Sequence, residues 1–159
     1  MNKQINNFLY STEKSLVEDF CEILEFYENP WGSIQFMTEF NYQRGKTDIV
    51  AINKEKEIIA FEVKLEKWRV ALHQAYKNTS FAHFSYVVLP DAVAHRAKCY
   101  PYEFLKRSVG LCTFDGRKIK IIFSAMPQKP IQPWLRYIAE SKVMERYNNG
   151  AKSRSIFNR

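Results

Sequence analysis

The stretch Ile58-Ile59-Ala60-Phe61-Glu62-Val63-Lys64-Leu65 sets a carboxylate and an ammonium inside an otherwise apolar run. Upstream, Asp48 heads a second run, Ile49-Val50-Ala51-Ile52. Runs apolar at nearly every position read as strands covered on both faces. Residues two apart on a strand share a face, so Glu62 and Lys64 are expected to project one way and Phe61, Val63 and Leu65 the other. Desolvating an ion costs several kcal/mol even after relaxation. That is a large share of the roughly 5–15 kcal/mol that holds a domain together. Charges at such positions call for partners, and two acids beside a lysine suit a metal and a phosphate.

A chain of 159 residues, 46% hydrophobic and 15% aromatic, can bury a substantial core as one domain. We read residues 1–150 as that domain and 151–159 as a basic, flexible tail. Cys21, Cys99 and Cys112 are odd in number and widely spaced, which supports neither a zinc ribbon nor a disulfide framework. The sequence has no signal-peptide core and no run near the roughly 18 apolar residues of a membrane span, so we expect a cytoplasmic protein without a membrane partner. Charge is uneven. Residues 1–90 hold 10 Lys/Arg against 12 Asp/Glu, and residues 91–159 hold 14 against 5. Such an electropositive C-terminal part suits a polyanion.

Helical spacing of Leu16, Val17, Phe20, Ile23, Leu24 and Tyr27 follows an N-cap at Ser11–Ser15. Alternation predicts a strand over 33–40, a turn at Gln43-Arg44-Gly45, and strands over 47–53 and 58–65. A helix over 66–79 would pack Trp68, Leu72, Ala75 and Thr79 on the sheet, and a strand over 84–89 ends at Pro90. Weaker helices are expected over 92–98 and 101–108. Strands over 110–114 and 118–125 form a hairpin about Asp115-Gly116. Pro127, Pro130 and Pro133 lead to a last helix over 134–147, ended by Asn148-Asn149-Gly150. The expected fold class is α/β, a mixed central sheet flanked by helices, with a C-terminal hairpin and helix.

Asp48, Glu62 and Lys64 together would serve phosphodiester hydrolysis. Carboxylates are hard oxygen ligands suited to Mg²⁺ or Mn²⁺, with the Val63 carbonyl a further candidate ligand. A metal so held polarises a phosphoryl oxygen and acidifies a water. The lysine can hold or deprotonate that water, or offset charge at phosphorus. The competing reading is a structural Glu62–Lys64 pair on a partly wet face, worth about 0–1 kcal/mol.

The text Gly45-Lys46-Thr47-Asp48-Ile49-Val50-Ala51-Ile52, then Ile59-Ala60-Phe61-Glu62-Val63-Lys64-Leu65, Ala71-Leu72-His73-Gln74-Ala75 and Tyr86-Val87-Val88-Leu89-Pro90 resembles the PD-(D/E)XK nuclease superfamily, the restriction-endonuclease-like fold. The likeness covers about residues 13–90. It implies an αβββαβ core and metal-dependent cleavage of nucleic acid, with Asp48 and Glu62 as Mg²⁺ or Mn²⁺ ligands and Lys64 as the catalytic lysine. The chain looks similar to archaeal Holliday-junction resolvases and to small restriction or repair nucleases, many of them dimers, which implies a homodimer. Thr47 stands where the motif's proline would be.

Many members carry a supporting acid on the first helix, for which Glu13, Glu18, Glu22 and Glu25 compete; Glu13 is best placed. Glu39 faces Asp48 if the hairpin loop has four residues and turns away if it has three. Gln74 is similar to the helix glutamine of the RecB-like branch, with Asn78 where a tyrosine is expected. Arg44, Lys46 and Tyr42 at the first turn, with Arg117, Lys118, Lys120 and Arg136, are candidate phosphate contacts. His73, His83 and His95 read as structural or exposed, and Trp31, Trp68 and Trp134 as packing anchors. The reading is a metal-dependent nuclease acting on DNA; the alternatives are a non-catalytic nucleic-acid-binding or assembly subunit and a plain α/β interaction protein.

Overall fold

The computed structural model describes residues 10–43 and 45–157, with side chains as far as Asn149. Arg44 and the last two residues lie outside the described residues. The order is α1 (Glu13–Phe26), β1 (Gln35–Tyr42), β2 (Gly45–Ile52), β3 (Ile58–Val63), α2 (Trp68–Asn78), β4 (Phe84–Pro90), a 3-10 turn (Asp91–Val93), α3 (His95–Lys98), α4 (Pro101–Leu105), β5 (Val109–Phe114), β6 (Ile119–Phe123) and α5 (Pro133–Phe157). The strands form one sheet in the order β1-β2-β3-β4-β5-β6. β1–β2, β2–β3 and β5–β6 pair antiparallel, β3–β4 and β4–β5 parallel. This is the mixed sheet flanked by helices that the sequence predicts, compatible with a restriction-endonuclease-like core.

Two helical layers cover the sheet because its strands are apolar on both sides. Ile59, Phe61 and Val63 pack with Leu16, Phe20 and Leu24 of α1. Ile58 and Ala60 face the other way, toward Phe81 and the Leu135, Ala139 and Val143 stripe of α5. Val87 and Leu89 meet Trp68, Ala71, Leu72 and Ala75 of α2. Thr12 caps α1, its hydroxyl accepting from Ser15 N–H at 3.1 Å. The β5–β6 turn forms as the Asp-Gly signal predicts, with Gly116 at φ 94° and Asp115 Oδ1 accepting 2.8 Å bonds from the Arg117 and Lys118 amides.

Four expectations need correction. The helix expected over 92–98 breaks into a 3-10 turn and α3, and α4 ends at Leu105, because these segments are too short for a strong periodic signal. α5 runs past Asn148-Asn149-Gly150 to Phe157. One glycine costs a helix only about 1 kcal/mol, and no proline follows to stop it. Trp134 is 53% exposed and is no packing anchor, whereas Trp31 meets Phe20, Phe61 and Tyr86, and Trp68 stacks on Phe104. Thr79 is the C-cap of α2, and Asn78 takes the buried place instead. Among the described residues no helix is long and apolar enough to cross a membrane.

Phe61 sits at the centre of the α1 layer, edge-on to Phe20 at 5.3 Å and to Trp31 at 4.9 Å. Phe61→Ala is expected to lower unfolding free energy by about 3–5 kcal/mol in urea titration. A loss under about 1 kcal/mol would show that this cluster is not the core.

Candidate active site

β2 and β3 pair as far as Ile49 and Phe61. Continuing that register by one residue sets Asp48 against Glu62, where the ladder has ended. Opposed side chains on an antiparallel pair stand about 5 Å apart at Cβ. The same logic on the other side of β2 sets Glu39 against Asp48, between the pairs Thr38–Ile49 and Phe40–Thr47. That is the register of the four-residue loop. The Glu39–Asp48 step is missing from the ladder, and Glu39 has φ 57°, in the left-handed region. The strand faces switch there: Phe36 packs on the α1 side and Phe40 on the α5 side, although both are even-numbered.

Glu62 is 2% exposed. Burial, then the charge of Asp48 and a hydrogen bond shared with it, push the Glu62 carboxyl well above the usual carboxylate range, against the opposing pull of Asn78 and Lys64. The two carboxyl groups thus stand beside each other at the end of the β2–β3 ladder. Asp48 Oδ2 accepts from the Val63 amide at 2.8 Å, and Asn78 Nδ2 donates to Glu62 Oε1 at 2.8 Å. Thr47 Oγ1 and Tyr42 OH donate to Asn78 Oδ1 at 2.8 and 2.9 Å. Burial and the Glu62 charge push the Tyr42 hydroxyl up to about 12, so it keeps its donor proton at neutral pH.

Lys64 lies one residue past β3, and its Nζ is 3.5 Å from Glu13 Oε2 of α1. Glu62 and Lys64 therefore do not form the structural pair of the competing reading; the lysine turns to Glu13, the acid singled out on the first helix. Glu13 and Asp48 line one groove of about 840 Å³ with Glu18, Glu22, Glu39, Lys46 and others. Lys46 Nζ is 3.1 Å from Glu39. Gln74 is on α2 one turn before Asn78, and its Oε1 is buried without a hydrogen-bond partner among the described residues. Tyr42 points inward to Asn78 and Phe81 instead of presenting its ring to a phosphate.

Arg117 and Lys118 sit on the β5–β6 turn, at the end of the sheet where β3 delivers Glu62. Arg136 belongs to the opposite end, with Nη2 at 3.5 Å from the Lys56 carbonyl in the β2–β3 turn. Arg44 lies outside the described residues. His83 is structural as expected, its Nδ1 accepting from Ile58 N–H at 2.8 Å, while His73 and His95 are exposed. Among the described residues no group of three or more His, Cys, Asp or Glu side chains is arranged to hold a metal. The oxygen donors brought together are two carboxylates and neighbouring backbone. The sequence singles out Asn78 only as the residue standing where a tyrosine is expected and assigns it no role, although an amide on the α2 face shared by Ala71 and Ala75 is a signal: buried polar groups have partners.

No protein-family model and no curated protein matches the chain. Solved structures similar to it include a protein of unknown function from Silicibacter pomeroyi, with 17% identity and TM-score 0.56 over 76% of this chain and 78% of that one. A repair endonuclease from Pyrococcus abyssi has 14% identity and TM-score 0.42, over 67% of this chain and 49% of its own. The likeness to the first concerns the fold alone.

Because Glu62 holds its proton more tightly folded than unfolded, the native state binds more protons above the ordinary glutamate pKa of about 4.3. Its contribution to stability is full below that pH and is lost as pH rises toward the raised folded value. With a chelator present, Glu62→Gln should therefore melt a few degrees above wild type near pH 8, and the difference should close near pH 4. Equal melting curves at pH 8 would show that the carboxyl is not under this strain.

Proposed function

We propose that this chain is a divalent-metal-dependent nuclease of the PD-(D/E)XK type that hydrolyses phosphodiester bonds of DNA. One observation carries the reading: Asp48 and Glu62, distant in sequence, meet where the β2–β3 ladder ends, with Lys64 two residues on. A buried carboxyl forced to keep its proton beside a second acid is a poor structural device and a good cation site. The donors are hard oxygens, which fits Mg²⁺ or Mn²⁺. Asp48, Glu62 and the Val63 carbonyl would hold the ion, which when bound neutralises phosphate charge and acidifies a water.

The remaining roles belong to the chain itself. Lys64 holds or deprotonates the attacking water, or offsets charge on the phosphoryl oxygens. Glu13 orients the Lys64 side chain through the contact of its Oε2 with Nζ at 3.5 Å. Lys46, Arg117 and Lys118, at the same end of the sheet, supply phosphate contacts, and Arg44 keeps the same assignment from sequence.

Purified protein with Mg²⁺ or Mn²⁺ should cut at least one of linear duplex, single-stranded, branched or modified DNA. Asp48→Ala should abolish cutting, and Lys64→Ala should slow it by about 100-fold or more. Trace cutting equal in wild type and both variants would be contamination and would end the proposal. Binding to DNA that is indifferent to metal, without cutting, would favour a binding or assembly subunit. In chelator, Lys46→Ala should make the log–log dependence of DNA affinity on salt shallower by about 0.9, the value for one phosphate contact.

A further inference from the structure

We infer that Asn78 is a positioning residue for the Asp48–Glu62 pair: held by Thr47 and Tyr42, it sets the separation of the two carboxylates and thereby the metal affinity. This rests on the metal-site reading above.

Backbone pairing between β2 and β3 stops one residue short of the acids, so the ladder does not hold them. Two carboxyl groups opposed at this point tend to spread the strands. Side chains take over from the ladder. One link is short and direct, the Val63 amide on Asp48 Oδ2 at 2.8 Å. The other crosses from a helix. Thr47, the neighbour of Asp48, donates to Asn78 Oδ1, and Asn78 Nδ2 donates to Glu62 Oε1, each at 2.8 Å. Asn78 therefore ties the side chain of Thr47, the residue next to one acid, to the carboxylate of the other.

The orientation of that amide is itself held. Two hydroxyls, Thr47 Oγ1 and Tyr42 OH, fill Oδ1, which leaves the Nδ2 end for Glu62. Thr47 and Asn78 are fully buried, so water cannot readily replace either arm. Tyr42 is anchored in turn against Phe40 and Phe81, at 6.0 and 5.2 Å between ring centres. With Glu62 Oε1 engaged by Asn78 and Asp48 Oδ2 by Val63, each carboxylate has one oxygen fixed by the fold and its other oxygen oriented in consequence. Outer contacts of this kind are commonly worth 10–100-fold in metal affinity.

The test is calorimetric titration of Mn²⁺ into the metal-free full chain, with circular dichroism checking the fold of each variant. Wild type should bind and Asp48→Ala should not. Asn78→Leu, which removes both arms, should weaken Mn²⁺ by tenfold or more. Thr47→Val removes one arm at nearly constant shape and should weaken it severalfold, while Thr47→Ser should restore wild-type affinity. If Asn78→Leu does not fold, the Thr47 pair decides alone. Affinities within twofold of wild type in Thr47→Val and Asn78→Leu, with Asp48→Ala still inactive in binding, would remove this inference and leave the metal site standing. No Mn²⁺ binding by wild type would overturn both.

Discussion

The meeting of the Glu62 carboxyl with Asp48, inside a sheet covered on both faces, is the interaction around which the rest is organised. Such a pair cannot be fully ionised and dry at once, since each charge is poorly solvated and each repels the other. The fold answers with neutral donors. An amide from α2 and a backbone N–H from β3 hold one oxygen of each group. Two hydroxyls hold the amide. The polar cluster is continuous with the large apolar layers that surround it, so its geometry is as fixed as theirs.

That arrangement explains why the hairpin, the first helix and α2 converge on one end of the sheet. β2 and β3 are antiparallel, which brings the beginning of one beside the end of the other. The crossover through α2 is required because β4 runs parallel to β3. It lays Asn78 over Glu62. α1 packs on the opposite layer and sends only its first turn, with Glu13, toward Lys64. The left-handed residue at Glu39 interrupts β1 beside Asp48, where a regular ladder would leave less room.

Much of this was legible before any coordinates. The strands 58–65 and 47–53 announce themselves by apolar runs, the β5–β6 turn by Asp115-Gly116, and α1 by its spacing. What could not be read follows from physical ambiguity. The three residues Thr47, Tyr42 and Asn78 have no shared pattern in sequence; only packing shows that their polar atoms meet. Trp134 looked like core because large aromatic residues are often buried, yet the stripe Leu135, Ala139 and Val143 occupies the inner face of α5. Arg136 looked like a neighbour of Arg117 by charge count, but charge along the chain carries no information about which end of a sheet a residue reaches.

The sequence alone determined that Asp48, Glu62 and Lys64 belong to two apolar strand segments of an α/β domain, because alternation and apolar runs are local properties of the chain. Only the tertiary structure decided which groups those three touch. It gave Lys64 to Glu13 instead of Glu62, and Glu62 to Asp48 and Asn78. The physical reason is that strand register and helix placement are settled by long-range burial, and a hydrogen bond depends on positions good to a few tenths of an ångström.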